Sequence, residues 1–105
     1  MMVNKNIILE VSYLQIRPGK NDFFERAFRV ISSSMLFMKG YISHELQHCL
    51  EADNRYILFV RWEKPEGNTS FRRSIEYEQW CDLLYNFYDL YPTVEYYEQV
   101  FFDRK

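Results

Sequence analysis

Two histidines are the side chains in this sequence best suited to acid–base or metal chemistry. His44 and His48 lie four residues apart in an alternating segment, which predicts a strand with both rings on one side and about 13 Å between them, at about 3.3 Å per residue. That separation is too large for one metal ion, and no carboxylate cluster completes a set, so the sequence predicts no metal site. His44 stands between Ile42 and Leu46 on an apolar side. It is therefore either a core histidine satisfied by a hydrogen bond or a general base at a pocket wall.

A second group of residues could form that pocket from the helical side of the molecule. Aromatic walls with few polar groups suit a flat, hydrophobic ligand. Ordinary core packing is the alternative for each ring. The candidate pocket residues are Asn68, Phe71, Arg72, Trp80, Phe87 and Tyr88.

Composition excludes several other kinds of site and partner. The chain has 105 residues, enough for a single domain over 1–105. A net charge of −2 argues against nucleic-acid binding, and no apolar run approaches a membrane span or a signal peptide. The motifs GxGxxG, Walker A, GxSxG and HExxH do not occur. With two unpaired cysteines, Cys49 and Cys81, the sequence predicts a cytoplasmic protein.

The elements that must position these residues follow in the order β-α-β-β-α-β. Strands are predicted over Ile7–Ile16, Tyr41–Leu50, Arg55–Glu63 and Thr93–Phe102. Apolar residues at helical spacing from Phe23 to Met35 predict one helix. A short helical turn is predicted over Asn68–Ser74 and a longer helix over Ile75–Tyr88, and Pro92 ends that region. This order is typical of a ferredoxin-like α+β fold, with an antiparallel sheet and both helices on one face.

The opposite sheet face is predicted to be bare in a single subunit. The alternation places His44 and Leu46 under the helices with Leu58 and Val60, whereas the bare face carries these residues: Ser43, Glu45, Gln47, Ile57, Phe59, Arg61 and Glu10. Because 19% of the residues are aromatic, more rings are present than a small core hides easily. A homodimer packed face to face would bury the rings of the bare face. The alternative is a solvated face with scattered rings.

The same topology occurs in RNA-binding RRM domains, and the third strand allows a test of that alternative. Arg55 to Trp62 fits part of the RNP1 pattern, but Tyr56 and Leu58 stand at both glycine positions and Ile57 replaces a stacking aromatic residue. The sequence therefore argues against RNA binding.

The order and spacing of several short motifs resemble the antibiotic biosynthesis monooxygenase domain family. The resemblance runs from about Ile7 to Val100. The motifs are Tyr41-Ile42-Ser43-His44-Glu45-Leu46-Gln47, Cys49-Leu50-Glu51, Asn54-Arg55-Tyr56, Val60-Arg61-Trp62-Glu63, Phe71-Arg72-x-Ser74-x-x-Tyr77-x-x-Trp80, Phe87-Tyr88 and Pro92-x-Val94-Glu95-x-Tyr97-x-x-Val100.

This resemblance implies a dimeric α+β barrel and an oxygenase that needs no cofactor. Such enzymes oxidise phenols or quinols: a base deprotonates the substrate, and its anion reduces O₂ directly. Our residue assignments are His44 as the catalytic base and Arg61 or Arg72 as the partner of the anion. Asn68 stands near the place where members often carry a histidine. The residues that haem-degrading relatives use are missing, which argues against haem degradation.

Three functions remain open on the sequence. The first is a cofactor-independent monooxygenase acting on a small aromatic ligand. The second is a non-catalytic dimeric module that binds such a ligand. The third is an isomerase-like or decycling enzyme on the same scaffold.

Overall fold

A computed structural model describes residues 6–63 and 67–105. The strands are β1 (Ile7–Ile16), β2 (Tyr41–His48), β3 (Arg55–Glu63) and β4 (Tyr88–Glu98). The helices are α1 (Asn21–Ser32), α2 (Gly67–Arg72) and α3 (Ile75–Leu84), and 3₁₀ turns over Ser33–Phe37 and Tyr85–Phe87 extend α1 and α3. The predicted α+β class and element order are confirmed.

The four strands form one antiparallel sheet in the order β2-β3-β1-β4. The helices cover one face of it, where an apolar core forms between sheet and helices. Trp62, Phe24, Ile16 and Leu84 are fully buried in this core. The dimeric barrel cannot be seen in one subunit and stays a prediction.

The predicted register between the second and third strands is confirmed over most of its length. His44 lies opposite Val60 and Leu46 opposite Leu58, as the alternation required. The exceptions are Ile42 and Leu50, which were both expected under the helices. Strand β2 ends at His48, two residues before the predicted end, and Leu50 is fully exposed. A register shift between Tyr41 and Ser43 places Tyr41 opposite Trp62, and Ile42 is exposed.

Glu10 lies on the other side of the sheet from the one predicted. The sequence interpretation grouped it with Phe59 and Arg61 on the bare face. In the structure Glu10 lies opposite Val60 and Tyr96, and its side chain is buried under the helices. Strand pairing decides this placement, because the alternation within β1 alone does not say which of its two faces meets the helices.

The last strand begins earlier than predicted and contains Pro92. Strand β4 runs along an edge of the sheet, where a missing N–H costs no ladder bond. Between the pairs Tyr13–Thr93 and Gln15–Leu90 the register shifts, and Pro92 lies in the extra stretch. The proline therefore marks a bulge within a strand rather than the boundary of a helix, and Tyr88 is the first strand residue rather than the last helical one.

Candidate functional site

A cavity of about 280 Å³ lies between the covered face of the sheet and the helices α2 and α3. Its walls are mostly aromatic and aliphatic, with one acid and one base among the described residues that line it. The lining comprises Glu10, Ser12, Leu14, Met35, Leu58, Val60, Phe71, Arg72, Tyr77, Trp80, Cys81, Tyr85, Tyr88, Tyr91, Pro92 and Val94. The small volume and apolar walls suit a compact, flat ligand.

Glu10 is the centre of the polar network at this cavity. Its Oε1 accepts hydrogen bonds from Trp62 Nε1 at 2.9 Å and from Asn68 Nδ2 at 2.8 Å. Its Oε2 accepts one from Arg72 Nη2 at 2.6 Å, which is also an ion pair. The side chain of Glu10 is 8% exposed and that of Arg72 is 32% exposed. Oε2 therefore keeps an acceptor position that the described side chains leave unused.

Helix α3 fixes the other side of Arg72. The Ser74 hydroxyl accepts a hydrogen bond from the Tyr77 backbone N–H at 3.1 Å and so caps the helix where it begins. This cap places the Tyr77 ring 5.0 Å from the Arg72 guanidinium carbon, and Arg72 Nη1 donates to the Tyr77 hydroxyl oxygen at 2.7 Å. The hydrogen of the Tyr77 hydroxyl therefore points away from Arg72, and Cys81 is a neighbour that can accept it.

Burial sets the protonation states around the cavity. Burial is the largest single effect and disfavours the charge of the Arg72 guanidinium, but the charge and hydrogen bond of Glu10, together with Tyr77 and Tyr96, outweigh it, and the pKa of Arg72 is raised. Burial, followed by a hydrogen bond with Cys81, raises the pKa of Tyr77. Burial also raises the pKa of Tyr88. The two phenols are therefore neutral near pH 7, and Arg72 is a cation.

Aromatic contacts hold the cavity walls in place. Trp62 stacks on Phe71 with 5.6 Å between the ring centroids, and Phe71 meets Trp80 edge-on at 5.7 Å. Phe28 in turn packs edge-on against the other side of Trp80 at 5.4 Å. These contacts make the wall a rigid platform against which a flat ring could stack.

His44 does not line this cavity. It contributes to a separate depression of about 350 Å³ between α1 and the edge strand β2, with Glu25, Arg29 and His48. Phe28 stands 6.2 Å from the His44 ring and separates it from Trp80. His44 Nδ1 lies 2.6 Å from the Tyr41 hydroxyl, and burial lowers the pKa of His44. The expected cavity shared by His44 and Trp80 is therefore wrong, whereas a catalytic role for His44 stays a prediction.

The structure brings four of the six predicted pocket residues to the cavity. Phe71, Arg72, Trp80 and Tyr88 line it. Asn68 stands behind the wall and reaches Glu10, and Phe87 packs edge-on against Phe24 at 6.2 Å. Arg61, the other predicted partner of the anion, lies on the uncovered face in a groove with Leu9 and Tyr97. Of the two arginines, only Arg72 can contact a ligand in this cavity.

The sequence interpretation missed Glu10 and Tyr77 as site residues. An acid inside the apolar run of β1 is unusual, and burial of a carboxylate requires donors to satisfy it. That signal was present in the sequence. The donors come from β3 and α2, however, and their convergence depends on the tertiary structure.

A larger depression of about 640 Å³ lies at the end of the sheet near the β2–β3 turn. Its walls include Leu50, which is fully exposed, and Leu90 and Tyr91, which are mostly exposed. The open walls and the lack of a buried acid–base pair make it a weaker candidate for chemistry than the smaller cavity.

Comparison with known proteins identifies the family. The family model described as antibiotic biosynthesis monooxygenase matches residues 7–83. The chain belongs to the antibiotic biosynthesis monooxygenase family. It is 42% identical over 95 residues to YczJ of Bacillus subtilis, an uncharacterized protein, and this match covers 90% of this chain and 100% of YczJ.

Solved structures of similar proteins support the same assignment. A candidate antibiotic biosynthesis monooxygenase from Bordetella bronchiseptica superposes with a TM-score of 0.85 at 25% identity, covering 91% of this chain and 99% of that one. A mutant of SnoaB, a cofactor-independent oxygenase from Streptomyces nogalater, superposes with a TM-score of 0.82 at 12% identity, covering 92% and 96% of the two chains. At 12% identity the second likeness shows the shared fold alone.

The described part of the chain offers no cluster of metal ligands or membrane-spanning helix. Across residues 6–63 and 67–105, no three His, Cys, Asp or Glu side chains come together in a way that could hold a metal ion. None of the helices in those two ranges combines the length and apolar character needed to cross a bilayer.

Proposed function

We propose that this protein is a cofactor-independent monooxygenase that oxidises a small phenol- or quinol-type aromatic with O₂ in the 280 Å³ cavity. The observation that carries the proposal is the buried Glu10–Arg72 ion pair in an aromatic-walled cavity, within a chain of the monooxygenase family. For a phenol with hydrogen on the reacting ring carbon, the balanced reaction is phenol plus O₂ giving quinone plus water. The substrate supplies all four electrons, so no separate reductant is needed.

The ion pair suits the first step, which is deprotonation of the substrate. Oε2 of Glu10 has an acceptor position that the described side chains leave unused, and it takes the proton of the substrate hydroxyl. The electron pair stays on the substrate oxygen, where the Arg72 guanidinium stabilises it. The resulting electron-rich anion reduces O₂ and forms a carbon–oxygen bond at the ring. Cleavage of the O–O bond then leaves the carbonyl and releases water, whose two hydrogens are the proton lost by the reacting ring carbon and the proton returned by Glu10.

Tyr77 is placed to assist the later steps. Because Arg72 donates to its oxygen, the Tyr77 hydroxyl can donate its own hydrogen to oxygen atoms that gain negative charge. The stacked wall formed by Trp62, Phe71 and Trp80 holds the ring and keeps water away from the anion.

We propose Glu10 rather than His44 as the proton acceptor. His44 lies behind Phe28 in a different depression and hydrogen-bonds with Tyr41, so a ligand in the cavity would not reach its ring. Substitution of each residue separates the two assignments.

We further propose that the protein is a homodimer through the uncovered sheet face. Members of this family are typically dimers. The uncovered face carries Tyr13, Phe59 and Tyr97, and some of the residues around them are charged. Two depressions open on this face. A second copy packed on this face would bury these rings.

One observation favours a second function, the binding of an aromatic ligand without turnover. Oε1 of Glu10 already accepts two hydrogen bonds and Oε2 one, so three donors already occupy acceptor positions of the one acid among the described lining residues. A ligand could then occupy the cavity without losing its proton.

Oxygen uptake with a panel of hydroquinones and naphthols tests the proposed function. We expect turnover by the wild type and a kcat roughly 10²–10⁴-fold lower for Glu10→Gln, the usual range for loss of an acid–base group. Glu25→Gln is a matched control, since the Glu25 carboxylate also accepts a bond from an aromatic residue, Tyr56, but lies outside the cavity. His44→Ala should also retain activity. Ligand binding without any oxygen uptake would support the second function, and full activity of Glu10→Gln would refute the assignment of the base.

A further inference from the structure

We infer that the cavity selects aromatic ligands that carry no charge, and that Glu10 is the residue that sets this selectivity. The inference deepens the proposed function, because it defines the substrate class of the same site. It starts from the charges of the lining. Among the described lining residues, Glu10 is the one carboxylic acid and Arg72 the one basic side chain, and they form one ion pair.

The geometry keeps this pair closed. Donors from two elements, Trp62 of β3 and Asn68 of α2, hold Oε1 of Glu10, and the side chain is buried. Tyr77 holds the other end of the Arg72 guanidinium through its ring and its hydroxyl oxygen. Arg72 Nε is buried and has no hydrogen-bond partner in the described part of the chain, but the charge of the guanidinium is already compensated by the Glu10 carboxylate at 2.6 Å. An incoming anion could therefore bond to Nε, but it would find no uncompensated positive charge there.

The energetics of buried charge turn this geometry into selectivity. A charge that leaves water for a poorly solvated site needs a countercharge there. A ligand carboxylate or sulfonate would bring a second negative charge next to Glu10, with one cation for two anions. A neutral ligand leaves the lining balanced. Tyr77 and Tyr88 stay neutral, so they can donate hydrogen bonds to an anion but add no countercharge.

The same balance explains how a neutral phenol could react. In the proposed deprotonation the O–H bond of the ligand breaks and the proton moves to Oε2 of Glu10. The electron pair stays on the ligand oxygen beside Arg72, so the net charge of the cavity is zero before and after the step. A ligand that already bears a fixed anionic group would hold the cavity at one negative charge throughout.

Two nearly isosteric, non-oxidisable probes test the selectivity directly: 2-naphthamide, which is neutral, and 2-naphthoate, which is an anion at pH 7. Their dissociation constants are measured by titration calorimetry with the full-length protein. We expect the wild type to bind the amide at least 10-fold more tightly than the carboxylate. Glu10→Gln changes the charge with little change in shape, and it should bind 2-naphthoate at least 10-fold more tightly than the wild type does. Glu25→Gln should keep the wild-type preference.

A second variant keeps the test decisive if Glu10→Gln does not fold. Arg72→Met removes the cation, and we expect it to weaken 2-naphthoate binding further while it retains binding of 2-naphthamide. The inference is overturned if the wild type binds both probes equally, binds neither, or prefers the anion. It is also overturned if neither variant changes the ratio of the two dissociation constants. Neither probe can be turned over, so absence of oxygen uptake with intact selectivity would refute the proposed function alone. Oxygen uptake without selectivity would refute this inference alone.

Discussion

The buried Glu10–Arg72 pair makes a quantitative prediction about stability. Removing one partner of a fully buried ion pair costs about 3–5 kcal/mol, because the other charge is left without compensation. Here the side chain of Glu10 is 8% exposed, but that of Arg72 is 32% exposed, so water can partly solvate the orphaned guanidinium. We therefore expect Glu10→Gln to lower the free energy of unfolding by about 2–3 kcal/mol, less than the cost for a fully buried pair. For a chain of this size that corresponds to a fall in Tm of roughly 8–12 °C.

A double-mutant cycle shows whether the cost comes from the unpaired charge. Glu10→Gln, Arg72→Met and the double variant are unfolded in urea at one protomer concentration and followed by tryptophan fluorescence. Because the double variant buries no unpaired charge, its loss should be smaller than the sum of the single losses by about 2 kcal/mol. Glu25→Gln is the control and should cost about 1 kcal/mol, the usual value of one hydrogen bond.

Two results would refute this reasoning. A Glu10→Gln variant within about 0.5 kcal/mol of the wild type would mean that the carboxylate does not compensate Arg72, since changes of that size are typical of surface positions. Additive losses in the double variant would mean that the two side chains act independently despite the 2.6 Å contact.

Three further predictions concern other parts of the molecule. Phe59→Asp should split the proposed dimer and destabilise the subunit, and sedimentation of a wild-type monomer at micromolar concentration would contradict the interface. Burial lowers the pKa of His44, so the unfolded chain binds a proton at this residue more readily than the folded chain does. The free energy of unfolding should therefore fall as the pH drops below the ordinary histidine pKa of about 6.5. This pH-dependent fall, measured from urea midpoints, should be smaller for His44→Gln than for His48→Gln. The purified protein should be colourless and metal-free. A flavin band in the absorption spectrum, or stoichiometric iron or zinc in elemental analysis, would contradict this prediction.

Local patterns in the sequence were sufficient to predict most of the fold. The bounds of β1 and β3 agree with the predicted strands, because alternation of apolar residues is strong in both and glycine or a polar turn ends each run. Gly19 and Gly40 adopt positive φ angles of 80°, as expected for residues that end an element. The order of the elements then limited the topology to a ferredoxin-like arrangement.

Pro92 shows where a local rule gave the wrong boundary. A proline disfavours helix and central strand alike, so the sequence placed it between elements. The structure accommodates it at a bulge on the edge strand β4, a position that depends on which strands pair and in what order.

The candidate site divides in the same way. Helical spacing was sufficient to place Phe71 and Trp80 on the side that meets the sheet, where they line the cavity. Tyr88 also lines it, but from strand β4 and not from the predicted helix. The sequence could not place Glu10, since a strand has two faces and its own alternation does not say which one is covered. It also could not separate His44 from the cavity, because the barrier is Phe28, which another element supplies. Glu10 and Arg72 are 62 positions apart, and their contact forms only when the sheet and helices pack. The tertiary structure alone therefore decides which charges line the cavity.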